Sequence, residues 1–246
     1  MSCAVDARGL RFRYPNGVLG LDGLDLHVAH GERVAVLGPN GAGKTTLMLH
    51  LNGLLAGNGE LDVAGIRVGG GDVRELRAAV GLVFQDPDDQ LFMPTVREDV
   101  AFGPLNLGAT REDADGRVAE ALAAVRMEGV ADRAPHQLSL GQRRRVAIAT
   151  VLAMTPKLLV LDEPSANLDP RARRELLEVL RDLERTMLVV THDLPFAAEL
   201  CERAVVLSAG RIVADGPCPE ILGDEQLLAG HDLELPAGFV LERLAA

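Results

Sequence analysis

The sequence predicts an α/β fold built on an open, largely parallel sheet, and three observations carry that prediction. The first is Gly38-Pro39-Asn40-Gly41-Ala42-Gly43-Lys44-Thr45-Thr46, a match to G-x-x-x-x-G-K-[ST]. It lies between a short apolar strand, Arg33–Leu37, and a helix running from Thr46 to Leu51, where Asn52-Gly53 halts it. The second is a set of short apolar stretches, Leu82-Val83-Phe84, Leu158-Leu159-Val160-Leu161 and Met187-Leu188-Val189-Val190, typical of strands buried on both faces. The third is that each of these stretches ends in polar residues: Gln85, Asp162-Glu163 and Thr191-His192-Asp193. In open α/β sheets ligands gather at the carboxyl ends of the strands, so these groups are expected on one edge with the glycine-rich loop.

That loop is a P-loop, and its chemistry is legible. Glycines at 38, 41 and 43 allow backbone angles and a close approach that a Cβ would block. The loop's N–H groups and the positive end of the following helix surround one phosphate chain. Lys44, one of only two lysines beside Lys157, is placed to reach the β/γ-phosphates, and the Thr45 hydroxyl to hold Mg²⁺.

Composition narrows the rest. A chain of 246 residues suits one α/β domain with a subdomain, and 48% hydrophobic residues with only 3% aromatic suit a mostly aliphatic core. A net charge of −11 argues against nucleic acid as the partner, because phosphate backbones need a basic face. Cys3, Cys201 and Cys218 form no C-x-x-C pair, which suits free thiols in a reducing cytosol. Met1 to Arg13 lacks the apolar core of a signal peptide. The longest apolar run, Val146 to Met154, is far short of the roughly 20 residues a membrane span needs. The expectation is a soluble protein whose link to a membrane runs through a partner.

In chain order, Leu10–Tyr14, Leu24–Val28 and Arg33–Leu37 read as strands with turns at Pro15-Asn16-Gly17 and His30-Gly31. Tyr14, the only tyrosine, ends the first of them. A lone tyrosine is commonly a core or surface aromatic; ahead of a P-loop it reads as a stacking platform for adenine. His27 and His30 flank a turn with no third ligand nearby, so a metal site is not expected there. Glu60–Val68 reads as a strand pair and Asp72–Ala79 as a helix capped by Asp72. Gln85, at the end of its strand, offers an amide oxygen to Mg²⁺ or to a water.

From Asp86 to about Met154 the pattern turns helical, with helices Thr95–Phe102 and Glu112–Val125 bounded by Pro94, Pro104 and Gly129. This segment, about 86–154, reads as a helical insertion. Ser139 and Gln142 stand at the spacing of a capping box, and a capped, exposed helix start is also an anion site. Asp162 fits the second carboxylate on Mg²⁺, and Glu163 is placed to polarise a water for attack on the γ-phosphorus. Ser165-Ala166-Asn167-Leu168-Asp169 leads into a helix at Pro170–Leu183. His192, on the nucleotide edge, reads as a γ-phosphate contact. Pro195–Cys201 is a helix, Ala204–Leu207 and Arg211–Ala214 a hairpin, and the stretch about 217–246 a short extension without evident chemistry.

The order of these motifs resembles that of ABC-transporter ATP-binding subunits: an aromatic (Tyr14), Walker A (Gly38–Thr45), a Q-loop (Gln85) and a signature (Leu138–Gln142). Walker B with its glutamate (Leu158–Glu163), a D-loop (Ser165–Asp169) and a switch histidine (His192) follow. Leu140 departs from the pattern, standing where the usual Leu-Ser-Gly-Gly-Gln has its first glycine. The stretches Val83–Phe92, Thr95–Pro104, Arg143–Ala149 and His231–Pro236 are similar to the ATPase subunits of energy-coupling factor transporters, which include the cobalt and nickel uptake ATPases.

The resemblance implies a P-loop NTPase with an antiparallel β subdomain and an inserted helical subdomain, binding ATP and Mg²⁺. Two such domains, as a homodimer or a heterodimer with another ATPase subunit, would sandwich ATP between the P-loop of one and Ser139, Gly141, Gln142 and Asp169 of the other. Glu163, His192 and Gln85 would carry hydrolysis. An integral membrane subunit would dock near Asp86–Phe92, at the cytoplasmic face of the membrane, where Asp86, Asp88 and Asp89 lie beside an exposed Leu91-Phe92 pair. A soluble ABC ATPase of repair or translation would need a long coiled coil or tandem cassettes, and a non-hydrolysing scaffold would lack Glu163. The remaining alternative is the ATPase of another ABC importer or exporter.

Overall fold

The structure, a computed structural model, describes residues 3–236 and Phe239. The chain opens with β1 (Val5–Arg13), β2 (Leu19–Val28) and β3 (Arg33–Leu37), and the glycine-rich loop then feeds α1 (Lys44–Leu51). Next come β4 (Asn58–Val63), β5 (Ile66–Arg67), α2 (Val73–Ala79) and β6 (Val80–Val83). A helical stretch follows, with α3 (Val96–Asn106), α4 (Arg111–Ala124) and α5 (Leu140–Leu152). β7 (Leu158–Asp162), α6 (Pro170–Asp182), β8 (Thr186–Val190) and α7 (Leu194–Leu200) return the chain to the sheet. The hairpin of β9 (Arg203–Ser208) and β10 (Arg211–Pro217) precedes α8 (Cys218–Gly223) and α9 (Glu225–Gly230).

Six strands form one sheet in the order β10-β9-β3-β8-β7-β6. All neighbours are parallel except β10, which closes one edge against β9. Alternate side chains of a strand point to opposite faces. Val34 and Val36 of β3, with Val160 of β7 and Leu188 of β8, enter one core; Ala35, Leu37, Leu161 and Val189 enter the other. The first core is roofed by α1, α2 and the antiparallel sheet β2-β1-β4-β5, the second by α3 to α8. Layers on both faces explain why the inner strands β3, β6, β7 and β8 have no charged or alternating polar positions between their ends.

Several local readings change. The first two strands begin earlier than expected, because β1 pairs with both β2 and β4 over most of its length. Phe84 falls just past β6 and is 38% exposed. Pro104 does not bound its helix: α3 runs through it to Asn106. A proline in the last turn removes a single helical N–H, and the capping box of Thr95 and Glu98 anchors the other end. Between β6 and β7 no strand occurs among the described residues. Leu91 is buried at 8% exposure, so it is not part of an exposed pair; Phe92, at 62%, is. Of the expected C-terminal extension, positions 237, 238 and 240–246 lie outside the described residues.

Candidate active site

The P-loop leaves β3 at Gly38 and closes on α1 at Gly43. Gly38 has φ 149, and a Cβ there would stand 2.2 Å from the Leu207 carbonyl oxygen. Gly43 has φ 110, and a Cβ would stand 2.4 Å from the Gly20 carbonyl oxygen. Only glycine fits either place. No side chain among the described residues caps the start of α1, so its first N–H groups are left for an anion in the cleft. Lys44 Nζ donates to the carbonyl oxygens of Gly38, at 2.7 Å, and Pro39, at 3.0 Å. Burial pulls its pKa below the usual lysine value, while Glu163 and Asp162 oppose the fall.

A cleft of about 260 Å³ lies over this loop. Asn40, Gly41, Gly43, Lys44, Thr45 and Thr46 form its floor. Gln85, Asp162 and Glu163 close one side, and Tyr14 the other. The strand ends therefore bring together residues up to 149 positions apart, counting from Tyr14 to Glu163. Tyr14 packs edge-on against Phe12, and its hydroxyl shares a 3.0 Å hydrogen bond with the Thr46 hydroxyl.

Asp162 ends β7, and Glu163 follows it in the left-handed region with φ 44. Burial pushes the Asp162 carboxyl above its ordinary range, Glu163 adds to the rise, and Lys44 and Arg144 oppose it. Glu163 is held on both oxygens. Oε2 accepts from the Thr191 hydroxyl at 3.0 Å and the His192 N–H at 3.2 Å. Oε1 lies 2.8 Å from His192 Nδ1.

Thr45, Gln85 and Asp162 line one groove with a hydroxyl, an amide and a carboxylate. Among the described residues no group of three or more His, Cys, Asp or Glu gathers as a metal cage. Mg²⁺ that keeps its waters and takes phosphate oxygens needs only one or two protein ligands, and a dication would offset the cost of burying Asp162. The residues fit that ion.

Other expected residues stand apart. Ser139, Gly141, Gln142 and Asp169 do not line the P-loop cleft. Ser139 and Gln142 complete a capping box at the start of α5. Gly141 is pressed against Ala172, where a Cβ would come within 2.7 Å of the alanine methyl. Asp169 caps α6 by accepting from the N–H groups of Arg171 and Ala172. His192 reaches the cleft only through Glu163. His27 lies 4.0 Å from Asp6.

Some site residues carry no sequence signal. Val18, Leu19 and Gly20 line the cleft beside Tyr14, put there by the pairing of β1 and β2. A Cβ on Gly20 would stand 2.9 Å from the Thr46 methyl. Behind Glu163, Asp193 accepts from the Ser165 hydroxyl at 2.8 Å and from Arg173 Nε at 3.1 Å. Nothing local in the sequence joins those three.

Comparison with known proteins agrees with this geometry. Residues 21–166 match the family model described as ABC transporter. A putative ABC transporter ATP-binding protein of Streptomyces coelicolor is 60% identical over 237 residues, covering 96% of this chain and 91% of that one. An energy-coupling factor transporter ATP-binding protein of Methanothermobacter thermautotrophicus is 47% identical over 238 residues, covering 94% and 76%. The structure of CbiO1 from Clostridium perfringens, part of the ABC transporter complex CbiONQ, superposes with a TM-score of 0.84 at 34% identity, covering 96% and 97%. A dimeric ATP-binding cassette in a post-hydrolysis state, bound to ADP and Pi, superposes with a TM-score of 0.77 at 29% identity, covering 87% and 98%. With a P-loop, strand-end carboxylates and these relatives in one frame, the chain belongs to the ABC transporter family, as an ATPase subunit that binds ATP and couples its hydrolysis to transport.

Proposed function

We propose that this subunit powers an energy-coupling factor type importer, which takes up a metal ion such as cobalt or nickel, or a vitamin, through membrane partner subunits. Its kinship with an energy-coupling factor ATPase supports the type. The work is done at the cytoplasmic face of the membrane, where the chain is held by its partners; no helix among the described residues is long and apolar enough to cross.

Within the site, the loop amides and Lys44 bind the β/γ-phosphates, and Tyr14 stacks on the adenine. Thr45, Gln85 and Asp162 would hold Mg²⁺, which when bound neutralises charge on the phosphates. Glu163 polarises the attacking water, oriented for it by the Thr191 hydroxyl and the His192 N–H. His192 contacts the γ-phosphate.

One observation carries the mechanism. Ser139, Gly141, Gln142 and Asp169 lie outside their own chain's cleft. Ser139, which heads α5, is exposed. A head-to-tail pair, homodimer or heterodimer, sets that helix start against the nucleotide of the other protomer and excludes water from the γ-phosphate. Hydrolysis is therefore expected to rise steeper than linearly with protein concentration. A rate per chain that stays constant down to concentrations at which light scattering finds only monomer would sink this mechanism. The transporter type is tested separately, by identifying the integral membrane proteins that co-purify from native membranes. Recovery of exporter subunits would replace the importer reading.

A further inference from the structure

Arg144 is the largest fully buried side chain, with 1% of its surface exposed. Buried guanidinium groups usually meet carboxylates, because a charge taken out of water is costly unless paired. This one meets backbone. Nη1 donates to the carbonyl oxygen of Gln85, with a longer contact of 3.5 Å to that of Phe84, and Nη2 donates to the carbonyl oxygen of Ala166 at 3.2 Å. Nε is buried with no hydrogen-bond partner among the described residues. Asp86, Asp162 and Glu163 act on the charge only as neighbours, and burial lowers its pKa despite them.

The acceptors belong to two different segments. Phe84 and Gln85 follow β6; Ala166 follows β7, three residues past Glu163 and next to Asn167, which has φ 61. Neither segment bonds the other through its own backbone hydrogen bonds. The forked guanidinium, rooted in α5 only five residues past Ser139, is the polar link between them. Arg143, one position earlier, brings Nε 3.1 Å from Asp88 Oδ1, an ion pair at the far end of the same turn.

We infer that Arg144 is a positioning residue for ATP hydrolysis. It ties the Gln85 backbone to the Glu163–Asn167 turn, so that Gln85 and Glu163 face the γ-phosphate together, and it transmits movement of either segment to α5. The inference rests on the proposed roles of Gln85 and Glu163. It predicts that a loss at Arg144 acts through Gln85 and therefore does not add to a loss there.

The experiment compares Arg144→Gln, Arg144→Lys, Gln85→Ala and the double variant Arg144→Gln/Gln85→Ala, as purified full chains. ATP affinity, kcat, KM and melting temperature are measured for each. Arg144→Gln should lower kcat by about tenfold or more while KM, ATP affinity and melting temperature stay near wild type. Arg144→Lys, which keeps the charge but cannot fork, should recover only part of kcat. The double variant should be no slower than the slower single variant. A kcat within about twofold of wild type in Arg144→Gln overturns the inference. So does full additivity with Gln85→Ala. Should Arg144→Gln fail to fold, Arg144→Lys carries the decision: wild-type kcat, or joint loss of ATP affinity and melting temperature, makes the residue purely structural. Glu163→Gln, assayed in parallel, separates the readings, since normal turnover there overturns the role of Glu163 whatever Arg144 does.

Discussion

Nδ1 of His192 lies 2.8 Å from Oε1 of Glu163, joining the segment after β8 to the segment after β7 beside the P-loop cleft. His192 is 70% exposed while Glu163 is nearly buried, so the ring is free to leave and the carboxylate is not. A carboxylate held on Oε2 by the Thr191 hydroxyl, with Oε1 covered only by an exposed imidazole, is arranged to accept a proton from water once that ring moves away. Glu163→Gln keeps the shape and removes the base. It should retain ATP binding, lose about 10²–10⁴-fold in turnover and accumulate an ATP-bound dimer by light scattering. His192→Ala should lose less in ATP binding than in kcat. Near-normal turnover in Glu163→Gln would move the base elsewhere, with His192 the first candidate.

The parts of this site legible in the sequence are those whose chemistry is local. The glycine-rich turn, the carboxylates at the end of β7 and the capping box at Ser139 each depend on residues within a few positions of one another and have the expected local geometry, whereas His192 stands outside the P-loop cleft. What was misread depends on partners far along the chain. Leu91 looks like half of an exposed apolar pair, yet it is buried in the core of the helical segment. Asp88 looks free, yet Arg143 of α5, 55 positions away, pairs with it. Arg144 stands between two other arginines with nothing local to set it apart, and only the meeting of β6, β7 and α5 shows that it is buried. Pro104 reads as a boundary because propensity weighs the single N–H that it lacks, not the packing of α3 on α4 and α5.

The Tyr14 hydroxyl shares its hydrogen bond with the Thr46 hydroxyl on the helix that carries the P-loop. The proposed stacking on adenine would use the ring, and the hydroxyl anchors that ring to α1. Tyr14→Ala should therefore weaken ATP binding by on the order of 1 kcal/mol. Tyr14→Phe should hold ATP within a few-fold of wild type but melt earlier, through loss of a hydrogen bond contributing about 1 kcal/mol. Isothermal titration and thermal melts separate the two. Equal, large losses of ATP affinity in both variants would give the residue a structural role only.

His50, on the inner face of α1, is fully buried between Phe12 and the β4 approach. Its Nδ1 lies 2.7 Å from the Thr46 carbonyl oxygen and so carries the proton, while Nε2 is buried without a partner among the described residues. Charging the ring would bury an unsatisfied N–H, and burial accordingly holds the pKa below the ordinary histidine value, against the Thr46 bond. A histidine whose folded pKa is depressed binds fewer protons folded than unfolded. Stability is then complete above about pH 6.5 and falls as pH drops through the folded value, by up to about 1.4 kcal/mol per pH unit. Melting curves between pH 7.5 and 5.5 should show this slope in the wild type and a flatter one in His50→Phe. Identical slopes would remove His50 from the account.

The turn after Gln85 is the place proposed for the membrane partner, and its geometry decides which residues remain free to serve. Asp86 is used as a cap, its Oδ1 accepting from the Asp88 N–H at 2.9 Å. Asp88 pairs with Arg143, although at 65% exposure that pair contributes little to stability. Asp89 is exposed and has no ion pair among the described residues. The apolar element beside it is Phe92 stacked edge-on against Phe102, their ring centres 5.0 Å apart and both rings exposed. An aromatic pair flanked by one free carboxylate suits an interface with an apolar centre, a polar rim and a basic partner segment. Asp89→Lys with Phe92→Ser should therefore leave ATP hydrolysis by the isolated protein within about twofold, yet abolish co-purification with the membrane subunit and uptake. Asp88→Lys is the poorer probe, because it sets a lysine against Arg143 and disturbs the turn that carries Gln85. If the Asp89→Lys/Phe92→Ser protein still assembles and transports at the wild-type rate, the partner does not dock on this turn.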